Sequence, residues 1–208
     1  MGMRKPKTVR GLEALGRVRL SDSFFLRDFL HSEIAGVYGL SNIPDDPDLA
    51  IAAGARLCQT LLEPIRQRFG RISIRSAFRS AEVNRLGNEK GFNCGSNQAN
   101  YGGHIWDRRD ASGGMGATAC IVVHALIPYY QRTGHWEAMA WWVHDHLPYD
   151  DMEFFPRLAA FNINWRESPR GRRIRSFIPP RRGWLTKPGM PNHAGDHGAE
   201  YAELLAAL

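Results

Sequence analysis

Apolar and polar positions fall into three regimes along the chain. From Leu49 to Phe69 the residues Leu49, Ala52, Ala53, Leu57, Leu61, Ile65 and Phe69 recur at steps of three and four. That spacing gathers them on one face of a helix. Asp48 opens this helix, and Gly70 stands where a left-handed cap ends one. Five short apolar or alternating runs predict strands: residues 72–75, 118–123, 152–155, 160–165 and 173–178. Within the fourth, Asn162 and Asn164 alternate with Phe161, Ile163 and Trp165, so one face is polar and the other apolar. The third regime, Gly87 to Gly114, is poor in apolar residues and rich in Gly and Asn. A loop this long inside a compact domain is usually functional.

Shorter signals fill in the rest. Ser21 or Asp22 caps a short helix through Phe24, Phe25, Phe29 and Leu30. One or two helical turns over 81–86 follow the Arg79-Ser80 corner. A helix over 136–146 turns Met139, Ala140, Trp142 and Val143 inward and stops at Leu147-Pro148. Asp196 caps a last helix over 198–208. Residues 1–20 read as an arm, 21–178 as the domain, and 179–208 as a tail with a helix. The fold class is α+β, with helices packed on a small, mostly antiparallel sheet.

Length and composition narrow the classes. The 208 residues suit one domain, and at 43% hydrophobic they can bury a core. No apolar run approaches the roughly 20 residues of a membrane helix. No apolar segment follows the basic start, so the expectation is a cytoplasmic protein with no membrane partner. Three cysteines make no disulfide framework and fit a reducing compartment. The net charge of +6 is concentrated between Arg166 and Lys187, where seven arginines and one lysine face a single acid, Glu167. This stripe is either a nucleic-acid or phosphate surface or a solvated hairpin.

Arg79 is the first candidate for chemistry. A guanidinium at the corner after a strand presents a fork that matches a carboxylate or phosphate. The alternative is a salt bridge to Glu82 or Asp151. Asn84 stands ready to orient the same loop. Trp106, Trp165 and Trp184 either line a cleft or belong to the core.

The stretch Ser76-Ala77-Phe78-Arg79-Ser80-Ala81-Glu82-Val83-Asn84 resembles the zinc D-alanyl-D-alanine carboxypeptidases that act on peptidoglycan peptides. In that family it reads roughly Ser-Gly-Tyr-Arg-Ser-Pro-x-x-Asn. Residues 24–29, Asn42-Ile43-Pro44 and 62–70 resemble the family's run-in to its first strand, and the likeness covers about residues 21–125. The resemblance implies a D-Ala-D-Ala carboxypeptidase/hedgehog-like fold. It also implies a metallopeptidase site in which zinc activates water and a glutamate takes the proton. His104 falls on the family's first metal ligand, with Gly102 in place of its Ser-x-His serine. Cys120 stands where the ligand aspartate is expected, and Asn162 where the last histidine is expected. Glu153 is the candidate base, Arg79 the holder of a substrate carboxylate, and Asn84, Asn162 and Asn164 further substrate contacts. A neutral amide is a poor zinc ligand. Asp107, three residues after His104, is therefore a replacement ligand. Asp110, the His144-Asp145-His146 run and the His193/His197 pair are weaker ones, more readily capping or surface groups.

Two functions follow. One is a zinc hydrolase of peptidoglycan-type peptides with a remodelled metal site, a reading that suits a phage-encoded protein released by lysis. The other is a catalytically inactive binding protein on the same fold, gripping a peptide or small anionic ligand such as a nucleotide.

Overall fold

The computed structural model describes residues 2–208. The molecule is α+β, as the patterning predicts. Thr8 caps helix α1 (Val9–Gly16) by accepting from the Gly11 amide. Leu15 and Leu20 are buried in the main core, so residues 1–20 are not a free arm. Their two apolar anchors are too sparse to show a period. Ser21 does not cap the next segment: its hydroxyl and both polar groups of Ser23 bind the buried Glu63 carboxylate. The expected helix there is a single 3-10 turn, Leu26–Phe29, followed by α2 (Glu33–Tyr38).

The long amphipathic helix begins one step earlier than Asp48. Asp46 caps α3 (Pro47–Leu57), with Pro47 in the first turn, where its missing N–H costs nothing. A wide π turn at Cys58–Leu62 joins it to α4 (Glu63–Phe69). Pro64 cannot donate to the Thr60 carbonyl, and the helix loosens over that turn. Gly70 ends α4 at φ 76°.

Strand β1 (Ile72–Ser76) leads through the Arg79 corner into α5 (Ala81–Glu89), capped by Ser80. The glycine-rich loop holds one short helix, α6 (Asn97–Asn100). Then come β2 (Gly116–Val123), α7 (Leu126–Thr133), α8 (Glu137–His146), β3 (Asp151–Phe154), β4 (Phe161–Arg166), β5 (Arg173–Ser176), β6 (Gly183–Thr186) and α9 (Gly198–Ala206). The sheet order is β1-β2-β4-β3-β5-β6, and only the β3–β5 pairing is parallel. Residues 179–208 are no detached tail. Strand β6 extends the sheet, and α9 packs on α8 with Tyr201 and Leu204 buried. Asp145 ties this helix down by accepting from the His197 amide and the Tyr201 hydroxyl.

The sheet has two unlike faces. Ala117, Ala119, Ile121, Met152, Phe154, Phe161, Ile163 and Trp165 face the main core. The opposite face carries the alternate residues, and register aligns them into rows. One row crosses all six strands: Ser76, Cys120, Asn162, Glu153, Arg175 and Trp184. A second holds Thr118, Asn164, Asp151 and Arg173.

Asn42 locks the Arg79 corner to this frame. Its amide donates to the Leu30 and Phe78 carbonyls and accepts from the Ser80 amide. Asn42→Ala leaves three backbone groups without a partner. It should lower stability by about 2–3 kcal/mol, read as a reduced denaturation midpoint with an unchanged slope. A loss within a few tenths of a kcal/mol of zero would show that the corner holds without it.

Candidate functional site

The polar row opens into a cleft of about 690 Å3 whose lining includes Arg79, Cys94, His104, Glu153, Asn162 and Arg175. A smaller lobe of about 310 Å3 adjoins it and adds Arg75 and Cys120. Arg79, Asn93, His104, Phe155 and Asn162 line both lobes. The corner, the glycine-rich loop and the sheet thus bring Arg79, His104, Cys120, Glu153 and Asn162 to one two-lobed cleft.

Close contact between backbone segments sets His104 there. Gly102 sits at φ 64°, and a Cβ on it would approach Arg166 Nη1 to 2.9 Å. A Cβ on Gly116 would lie 2.3 Å from the Gly102 carbonyl oxygen. The Thr118 amide donates to Gly103 O and the Arg79 amide to His104 O, which fastens the loop to strand and corner. These contacts explain glycine at 102, where the family has serine.

The His104 ring is buried, with Nδ1 2.7 Å from the Ala77 carbonyl. A carbonyl only accepts, so Nδ1 carries the proton and Nε2 offers a lone pair. Burial first, then the Arg79 charge, pushes the imidazole down to about 3. It is neutral at physiological pH.

Arg79 is the unusual group. Nη1 donates to Cys94 Sγ at 2.6 Å, and Nε is buried with no partner. Among the described residues no carboxylate lies within ion-pair distance, so neither the Glu82 nor the Asp151 bridge forms. Asp151 pairs with Arg173 instead. Burial lowers the Arg79 pKa, the direction expected when a cation loses water without gaining an anion.

Other expected site residues hold the walls. Glu153 pairs with Arg175, and its second oxygen accepts from the Asn162 amide at 3.0 Å. Asn164 does not face a ligand: its amide donates to Gly102 O, Ala117 O and Thr118 Oγ1. Asn84 donates to Gly95 O and Asn97 Oδ1, and so positions the loop rather than touching the cleft. Trp106 and Trp165 are core residues, and Trp184 lies exposed on β6. Asp110 is the turn acceptor for Ser112 and the partner of Arg166. His144 contacts Tyr149 Oη, and His197 pairs with Asp145, so the histidine runs knit α8 to the C-terminal segment.

The donor set does not fit zinc. Asp107 is turned away, buried beneath the Asp45 amide that it accepts at 2.6 Å. Burial pushes the Cys120 thiol up to about 11, against the Arg75 and Arg79 charges. Those two guanidiniums repel a dication at the same spot. Asn162 adds only a neutral oxygen. Among the described residues no three His, Cys, Asp or Glu side chains converge.

The basic stripe is largely neutralised within the fold. Arg166 pairs with Asp110 and Asp150, Arg170 with Asp150, Arg173 with Asp151, Arg175 with Glu153, and Arg181 with Glu137. A nucleic-acid surface over 166–187 loses most of its charge this way. Sequence reading missed Cys94, Arg75, Arg175 and Phe177 as cleft residues. Arg175 and Phe177 do share the alternation of Arg173. No described helix is long and apolar enough to cross a membrane.

Two measurements test this electrostatic picture. Arg79→Met should leave stability unchanged or slightly raised. Arg166→Met removes one charged partner each from Asp110 and buried Asp150, which keep Ser112 and Arg170 respectively, and should cost about 1.5–3 kcal/mol. Equal losses would mean that Arg79 is also a structural ion-pair partner. Unfolded histidine titrates near 6.5, so the stability tied to neutral His104 is complete above that pH and is lost as pH falls toward 3. Between pH 6.5 and 4 the wild type should lose up to about 1.4 kcal/mol per pH unit from this residue. His104→Gln should lose correspondingly less in chemical denaturation, and parallel slopes would refute the assignment. Comparison with protein-family models, curated proteins and solved structures found no match, so the geometry of this cleft stands as the ground for a functional reading.

Proposed function

We propose that the chain is a binding protein, built on a D-Ala-D-Ala carboxypeptidase-like scaffold, that holds a small anionic ligand on Arg79 without cleaving it. The observation that carries this reading is a largely buried guanidinium whose side-chain partner is a sulfur and that pairs with no carboxylate among the described residues. Elsewhere on the same face the sheet supplies carboxylates to arginine: Asp151 to Arg173 and Glu153 to Arg175. At Arg79 the partner is left to come from outside. The two lobes together present Arg75, Arg79 and Arg175 against Glu33 and Glu153, so the cleft favours an anion. A carboxylate or a phosphate suits the guanidinium fork equally.

The support for an inactive protein comes from the same residues. Glu153, the candidate base, is engaged by Arg175 and Asn162. The Cys120 thiol stays protonated at neutral pH, which leaves it a poor nucleophile. The zinc donor set is incomplete. The order along the chain, Arg79 after the first strand and His104 ahead of the second, supports the scaffold assignment.

Calorimetric titration with inorganic phosphate and with N-acetylalanine tests the reading. Both should bind wild type with an affinity that falls as salt rises. Arg79→Met should bind at least about tenfold more weakly, the scale of one lost charge-assisted contact. Equal binding by wild type and variant would overturn it. So would one zinc per chain, retained through gel filtration and lost in His104→Ala.

A further inference from the structure

The outer end of the cleft is aromatic. Phe155 and Phe177 stack with centroids 5.6 Å apart and planes 4° from parallel, and both line the larger lobe. Phe177 remains 42% exposed. Phe155 also lines the smaller lobe, beside Arg79 and His104. The Arg175 guanidinium lies 5.1 Å from the Phe177 ring centre and 6.0 Å from that of Trp184, which is itself 43% exposed. Lys187 lies 5.4 Å from the same Trp184 ring centre. Cations and rings therefore alternate outward from the cleft.

This arrangement has no evident need in the fold. The main core excludes Phe155 and Phe177: Phe155 packs on a small cluster of Cys120, Val122 and Ala160, and Phe177 stacks on Phe155 outside both clusters. The exposed part of Phe177 at the mouth of a pocket is apolar ring surface that a planar group can cover with a gain in buried area. The inner end is different in kind, with Arg79 for an anion and the His104 Nε2 lone pair for a donated hydrogen bond. The cleft volume of about 690 Å3 suits a ligand that reaches from one end to the other.

We infer that the ligand is bipartite: a planar aromatic ring held at the Phe155–Phe177 lip, joined to a carboxylate or phosphate held by Arg79. The inference rests on the anion-binding reading and adds the ring. Nucleoside monophosphates and aromatic carboxylates share this chemistry. Guanidinium and phenyl faces at the lip favour an electron-rich ring by stacking and cation–π contact. Isolated phosphate or acetate uses only half the site.

Two probe pairs test this by calorimetry: inorganic phosphate against adenosine 5′-monophosphate, and acetate against 1-naphthoate. In wild type the ring-bearing member of at least one pair should bind about tenfold or more tighter, the scale of one stacked ring. The pair with the larger advantage identifies the anion. Phe177→Ser, at an exposed position that tolerates a polar residue, should remove that advantage while leaving phosphate and acetate affinities unchanged. Arg79→Met should weaken all four probes. Equal affinities within both pairs, or a ring advantage that survives Phe177→Ser, overturns the aromatic subsite and leaves the anion reading intact. No binding by any of the four overturns both.

Discussion

The two central strands of the sheet are buried on both faces, so most of the donors on their polar side have to find partners there, and this constraint shapes the molecule. Strands β2 and β4 lie at its centre, and their second face is polar. Asn164 shows how the problem is met. Its amide reaches Gly102 O, Ala117 O and Thr118 Oγ1, so the glycine-rich loop is drawn down onto the strands. Arg166 repeats the device with Asp110 near the end of that loop and with Asp150 just ahead of β3. Each buried donor left unmet would cost about 1–3 kcal/mol, so the loop's path follows from where these side chains emerge. Glycine at 102 and 116 is what lets backbone approach backbone closely enough.

Against that background the Arg79 guanidinium stands out. The protein has carboxylates on the same sheet face, and register places each opposite an arginine: Asp151 across from Arg173, Glu153 across from Arg175. Arg79 lies outside those rows, on a corner, and its nearest partner is a thiol. A cation held among few dipoles also acts on its neighbours. It helps keep His104 neutral, which preserves a lone pair in the cleft. The positive corner follows from the missing carboxylate, and its charge adds to the burial that already keeps His104 neutral.

Much of this was legible in the sequence, for physical reasons that can be stated. The α3–α4 rod showed because seven apolar residues keep helical spacing over more than five turns. The two-faced strand showed because Asn162 and Asn164 alternate with large apolar residues. Arg79 and His104 showed through a family's motif. What stayed hidden depends on contacts between distant residues. Helix α1 has too few apolar anchors to betray a period, yet Leu15 and Leu20 are core. Strand β6, Gly183–Thr186, is a four-residue edge with little pattern of its own. The basic stripe looked like a surface for polyanions because its counter-charges, Asp110, Glu137, Asp150, Asp151 and Glu153, lie up to 56 residues away in sequence. Asp107 looked like a ligand because it follows His104 by three. The chain between them turns its carboxylate to the Asp45 amide instead.

The sign of the charge at the centre of the cleft separates the two functional readings. A zinc site needs an excess of negative or lone-pair donors converging on one point. Here Cys120 stands where the resembling enzymes have aspartate, and burial keeps it protonated. Asn162 stands where they have a histidine, and its amide is turned to Glu153. Glu153 is in turn neutralised by Arg175. With Glu153 paired, Arg75 and Arg79 outnumber the one remaining carboxylate of the lining, Glu33. The cleft is in this way electrostatically suited to an anion rather than to a cation. The inner cleft then differs from the ion-pair rows of the sheet by a single absent carboxylate, the gap that the proposed anion would fill.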